Sequence, residues 1–218
     1  MYLMKKYIAE LIGTFGLVFF GTGSIIVNEI SNGTIGLIGI ALAFGLIVTV
    51  MIYIFENISG AHINPAVTIA FAVRKDIDLK ETVFYIIFQI IGAILASVLL
   101  KVMFPTIENL GMTLPSSSIS QSFIIEFVST FFLMLTILGI TQQGSEQSKS
   151  LTGIVIGFVV LAMIFVAGPI SGGSFNPARS IGPAIVSGNL QHLWLYLVSP
   201  TLGAIFAVFI WKYLQVNK

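Results

Sequence analysis

Two stretches of the chain set out the same kinds of atoms in the same order. Ser59-Gly60-Ala61-His62-Ile63-Asn64-Pro65-Ala66 matches Ser171-Gly172-Gly173-Ser174-Phe175-Asn176-Pro177-Ala178, and Arg179 follows the second directly. Asn is a favoured helix N-cap and Pro is favoured at the first helical position. Each stretch therefore predicts a helix that starts at Pro65 or Pro177. The side-chain oxygens of Asn64 and Asn176 can cap those helices, which leaves their amide hydrogens to donate to whatever lies in front. Pure capping is the plainer alternative. Arg179 falls at the third helical position, where a cation opposes the helix dipole, so something must compensate it, either carbonyls of the preceding loop or water. Glu10 and Glu126 are carboxylates inside apolar surroundings; they suit either a proton relay or an anchor for backbone N–H groups. His62, just before Asn64, offers a further polar contact. There is no Cys, and neither His has a partner at ligand spacing, so a metal site and a resident cofactor are not expected. No nucleophile and base stand together, which argues against an enzyme.

The elements that must position these residues are apolar. Of 218 residues, 56% are hydrophobic and only 9% charged, and the mean hydropathy is +1.02. A soluble chain carries about 25% charge, so this one cannot cover a water-facing surface. Net charge is +1 with no basic block, which gives no reason to expect a nucleic-acid partner. A spanning helix needs about 20 apolar residues. Six such runs are visible, at Tyr7–Val27, Ile35–Phe55, Val83–Met103, Ser122–Ile140, Leu151–Gly168 and Leu193–Tyr213. Two segments, Ile58–Val73 and Ile170–Val186, are interrupted by Gly, Asn and Pro and hold short helices of about ten residues. Ten residues reach about 15 Å, half of a ~30 Å hydrocarbon core. Irregular backbone at that depth is tolerated only where protein buries it or a watery cavity meets it.

The two halves repeat. Glu10, Thr14 and Phe15 pair with Glu126, Thr130 and Phe131; Gly45 and Gly157 precede their Asn-Pro by equal intervals; Gly92 pairs with Gly203. The expected fold is therefore an all-α membrane protein, a single domain over 1–218. It has six transmembrane helices plus two re-entrant half-helices in two inverted three-helix repeats, about 1–104 and 118–218. An odd number of spans per repeat forces the inversion, and inverted repeats place a shared site at their interface near the midplane. The four glycines read as points where helices cross closely. Lys5, Lys6, Arg74, Lys75, Lys80, Lys149, Lys212 and Lys218 fall on one side, against Lys101 on the other. The positive-inside rule makes that side, with both termini, cytoplasmic. His192 and Trp194 mark the outer end of the last span.

Paired Asn-Pro-Ala motifs in matching frames, with Arg179 after the second, resemble the aquaporin (major intrinsic protein) family over nearly the whole chain. The resemblance implies a passive pore in each subunit of a homotetramer in the cell membrane, passing water and small neutral solutes and excluding protons and ions. It implies that Asn64, Pro65, Ala66, Asn176, Pro177 and Ala178 meet at the pore, and that Phe44, Ile164, Gly173 and Arg179 form its outer constriction. It implies that His62 lies on the cytoplasmic approach and that Glu10 and Glu126 support the loops. Strict water channels usually carry a His where this chain has Ile164 and a polar residue where it has Gly173, so the ring looks wider and more apolar. It is similar to archaeal and nodulin-like channels, and glycerol is an expected solute. Ser180, Ala184 and Tyr196 fit the water type while Leu197 fits the glycerol type, so a strict water channel is the alternative. A secondary transporter, which also uses inverted repeats and broken helices, is a more distant one.

Overall fold

The structure is a computed structural model that describes residues 2–142 and 146–215. It contains eight helices: α1 (Tyr2–Ile30), α2 (Gly36–Ser59), α3 (Pro65–Arg74), α4 (Leu79–Met103), α5 (Ile119–Gln142), α6 (Glu146–Ser171), α7 (Pro177–Ser187) and α8 (Leu193–Gln215). Six are long and apolar enough to cross a membrane. The two short ones, of 10 and 11 residues, start at the two Asn-Pro steps. Of the basic residues used for orientation, Lys218 and the Lys149 side chain lie outside the described residues.

Most helices outrun their apolar runs. α2 continues past Phe55 to Ser59 and α6 past Gly168 through Pro169 to Ser171. The irregular backbone therefore shrinks to residues 60–64 and 172–176. α4 begins a turn early because the Asp78 carboxylate accepts from the Glu81 N–H at 2.7 Å, a capping signal that hydropathy does not register.

The packing is paired. α1 lies against α2 and α4 as α5 lies against α6 and α8, and α2 meets α6. Each half-helix also packs on a long helix of the other half, α3 on α8 and α7 on α4. Glycines set the close crossings. A Cβ on Gly92 would enter the Leu11 carbonyl and reach the Phe15 nitrogen at 3.1 Å, and one on Gly203 would meet Phe127 and Phe131 in the same way. Gly45 and Gly157 face each other across α2 and α6, where a Cβ on Gly45 would lie 2.8 Å from the Gly157 carbonyl.

The distribution of polarity is inverted relative to a water-soluble protein. Phe20, Ile38, Val102 and Phe158 are all more than half exposed, while Glu10, Gln89 and Glu126 are fully buried. A helix bundle with apolar side chains outside and carboxylates inside suits hydrocarbon as its surroundings.

The crossings predict an asymmetry between glycines. Gly92→Ala should destabilise by about 1–3 kcal/mol through overpacking against the α1 backbone. Gly139→Ala, whose Cβ would find only ordinary contact with Trp211 at 3.8 Å, should be neutral or stabilise by up to about 1 kcal/mol. Thermal unfolding in detergent, with each variant beside the parent, measures both.

Candidate functional site

Asn64 and Asn176 each hold extended backbone (φ −157° and −152°) ahead of a Pro, and each side-chain oxygen accepts from the backbone two residues on, Ala66 N at 2.9 Å and Ala178 N at 3.0 Å. The caps are thus made. The amide nitrogens do more than face forward: Asn64 Nδ2 donates to the Phe175 carbonyl and Asn176 Nδ2 to the Ile63 carbonyl, both at 2.8 Å. The two motifs hold each other, and each Asn keeps one N–H beyond that cross-link.

Behind them the unwound segments hang on carboxylates. Glu10 Oε1 accepts from the Ser59 hydroxyl at 2.6 Å and His62 N at 2.9 Å, and Oε2 from Ile63 N at 2.6 Å and Gln89 Nε2 at 2.7 Å. Glu126 Oε1 accepts from the Ser171 hydroxyl at 2.7 Å and Ser174 N at 2.8 Å, and Oε2 from Phe175 N at 2.8 Å. The hydroxyls of Tyr85 and Tyr196 donate to the carbonyls of Ser59 and Ser171 at 2.8 and 2.7 Å. In a trans peptide the N–H and the preceding C=O point in opposite directions. Fixing the N–H groups of His62, Ile63, Ser174 and Phe175 on the carboxylates therefore turns the carbonyls of Ala61, His62, Gly173 and Ser174 the other way.

That way lies a cavity. It is lined by residues 60–64 and 173–176, and opposite them by Leu17, Val48, Ile52, Leu133, Ile137, Ile156 and Val160. One wall is a row of acceptors interrupted by the two Asn donors; the other is hydrocarbon. Such a surface hydrogen-bonds a small polar molecule on one side only, which orients it without holding it tightly. His62 lines the Glu56 end of the cavity; its ring stacks on Phe71 with centroids 4.6 Å apart, and its Nδ1 lies 3.2 Å from the Thr68 hydroxyl.

Phe44, Ile164, Gly173 and Arg179 all lie at the other end. The Arg179 guanidinium carbon stands 5.2 Å from the Phe44 ring centroid. A Cβ on Gly173 would sit 3.5 Å from both Ile164 and Phe175, with no clash. The left-handed backbone there (φ +58°) is one that a side chain adopts only with strain, as Ala61 does at φ +48°, and the missing side chain leaves room. Arg179 is 1% exposed. Its Nη1 donates to the Gly111 carbonyl at 2.9 Å and its Nη2 to the Gly172 carbonyl at 3.5 Å, and Nε has no partner among the described residues. The expectation of carbonyls from the preceding loop accounts for the longer contact. The shorter one comes from the α4–α5 connection, which no motif in the sequence marks; there Leu110 and Gly111 both take positive φ. No group of His, Asp and Glu that could hold a metal ion occurs among the described residues.

The sequence profile of a family described as Major intrinsic protein matches residues 1–211. The chain is 42% identical over 211 residues to aquaporin NIP1-1 of Zea mays, covering 96% of this chain and 74% of that one. It is 40% identical over 210 residues to nodulin-26 of Glycine max, covering 96% and 77%. The crystal structure of the aquaglyceroporin from Plasmodium falciparum superposes with a TM-score of 0.88 at 25% identity, covering 99% of this chain and 97% of that one.

The carboxylate anchors give a test of stability. Glu126→Ala leaves the buried N–H groups of Ser174 and Phe175 without an acceptor, at about 1–3 kcal/mol each, while the Ser171 hydroxyl keeps the Ala167 carbonyl at 3.2 Å, and should lower the melting temperature sharply. Glu126→Gln keeps the shape but one good acceptor, and should fall between. Melting curves in detergent for the three proteins check the order.

Proposed function

The chain belongs to the major intrinsic protein family, and from that premise we propose that it is a passive channel for water and small uncharged solutes such as glycerol. It is a multi-pass membrane protein, and its family consists of channels rather than enzymes. The observation that carries the reading is the two-faced cavity, with acceptor carbonyls and two Asn donors along one wall and hydrocarbon along the other. A water or polyol passing Asn64 and Asn176 accepts from their remaining N–H groups and donates to the carbonyls beside them. The two half-helix N-termini add positive potential at that point. A water oxygen that accepts there must turn both hydrogens outward, which breaks the uniform orientation a proton wire needs. Cations meet the same potential and the Arg179 guanidinium.

Phe44, Ile164, Gly173 and Arg179 form the outer filter in this reading. Phe44 and Ile164 take the CH edge of a polyol while Arg179 donates to its hydroxyls. Pro65, Ala66, Pro177 and Ala178 start the half-helices, His62 flanks the inner approach, and Glu10 and Glu126 hold the loops. Each carboxylate already accepts three or more hydrogen bonds from its own loop and neighbours, which leaves little for the ion coupling of a transporter. The repeats run over about 1–104 and 118–218, related as α1–α4 to α5–α8. Both termini are cytoplasmic, and the assembly is a homotetramer in the cell membrane.

Light scattering of proteoliposomes under a sorbitol gradient and then a glycerol gradient tests the reading. Both fluxes should rise above empty vesicles and stay unsaturated without an ion gradient. Water flux without glycerol flux would make this a strict water channel, and saturable or ion-coupled flux would make it a carrier. Ile164→His with Gly173→Ala should narrow the ring and cut glycerol flux by about tenfold, the equivalent of ~1.4 kcal/mol, with a much smaller effect on water.

Arg179→Val should keep water flux and raise cation or proton conductance in planar bilayers. Conductance equal to that of the parent would remove Arg179 from the filter.

A further inference from the structure

Building on the channel reading, we propose that Thr113 is a positioning residue for the outer filter, acting through a one-way chain of buried hydroxyls. Thr113 lies beside the groups that hold Arg179. It lies two residues beyond Gly111, whose carbonyl takes Nη1 at 2.9 Å. Its Cα would lie 3.1 Å from a Cβ on Gly172, whose carbonyl takes Nη2. Its hydroxyl lies 2.7 Å from that of Ser180, the residue after Arg179.

The hydroxyl chain has a fixed direction. Ser174 Oγ donates to the Asn176 carbonyl at 3.0 Å, and the Ser174 and Ser180 hydroxyls are 2.7 Å apart. A hydroxyl has one proton. With the Ser174 proton used on Asn176, Ser180 must donate to Ser174, and Thr113 must then donate to Ser180. All three residues are buried, at 3%, 5% and 1% exposure for Thr113, Ser174 and Ser180, and Ser174 borders the cavity. The chain ties the α4–α5 connection to the first turn of α7 and to Asn176 itself. The same connection is clamped at its far end, where Ser116 N donates to the Ile170 carbonyl at 3.0 Å. Between Gly111 and Ser116, the Ser187 hydroxyl donates to the Met112 sulfur at the last turn of α7, at 3.7 Å, while the Thr113 hydroxyl ties the connection to the first turn of α7. Losing it frees the segment that carries the shortest acceptor of Arg179.

The test is Thr113→Val, which keeps the shape and removes the donor, beside Thr113→Ser, which keeps the donor. Ser180→Ala breaks the chain from its other side. Each is reconstituted in proteoliposomes, with water and glycerol permeability expressed per folded channel and proton conductance measured alongside. Thr113→Val and Ser180→Ala should raise the glycerol-to-water ratio by roughly two- to fivefold, the scale of one neutral hydrogen bond, and increase proton leak. Thr113→Ser should restore both. An unchanged ratio and leak would overturn the proposal. So would equal behaviour of Thr113→Ser and Thr113→Val, or a parallel loss of both fluxes in all three, which marks a merely structural role. If the parent itself passes no water, the channel reading fails instead, and the two failures are told apart in the same vesicles.

Discussion

Backbone N–H groups that leave a helix inside hydrocarbon need an acceptor, and everything at the centre of this protein follows from how that need is met. An unsatisfied group there costs several kcal/mol. Two unwound segments, 60–64 and 172–176, lie between helix ends at membrane depth. Glu10 and Glu126 collect their N–H groups from behind. A carboxylate is suited to this task because it accepts several bonds and donates none when ionised. The same anchoring fixes the peptide planes, and the carbonyls are turned into the cavity as a geometric consequence. Support and lining are thus a single arrangement seen from opposite faces.

Small residues make that arrangement compact. Gly92 and Gly203 let α4 and α8 approach the backbones of α1 and α5 near the carboxylates, and the matching 3.1 Å approaches on the two sides show how closely the halves correspond. Where the halves differ, the chemistry differs. Ala61 has a side chain where Gly173 has none. Gln89 reaches Glu10, while its counterpart is Pro200 and reaches nothing of Glu126. His62 stands where the other half has Ser174. The unwound segments therefore present an aromatic ring at the Glu56 end of the cavity and a small hydroxyl at the Phe44–Arg179 end, although one backbone design serves both.

The sequence was legible where a local rule operates. Apolar runs revealed the six spans, and Asn-Pro revealed the first residue of both short helices, because capping and proline geometry act within one turn. Helix ends were less legible, since α2 and α6 continue through residues that are no longer apolar but keep their hydrogen bonds. The contacts hardest to see join distant segments. Asn64 and Phe175 are far apart in the chain, and nothing in an Asn states which carbonyl it will meet. Gly111 and Thr113 belong to a connection without hydrophobic period, so neither offered a signal beyond turn chemistry. The grouping of Phe44 and Ile164 with Gly173 and Arg179 came from family spacing, because Phe44 and Ile164 look like any other helix-packing side chains.

The exchange of half-helices between the halves bears on biosynthesis. α3 packs on α8, and Lys212 near the end of the chain donates to the Val73 carbonyl across 139 positions at 3.4 Å. At ribosomal speeds of about 5–20 residues per second, that interval lasts roughly 7–30 s. During it the first three spans are in the membrane with a ten-residue polar-ended helix whose final neighbour has not been made. Asn64 likewise waits for Phe175. The nascent first half is therefore an open vestibule. It needs water or the insertion machinery against its unwound segment until the last helix closes the far wall.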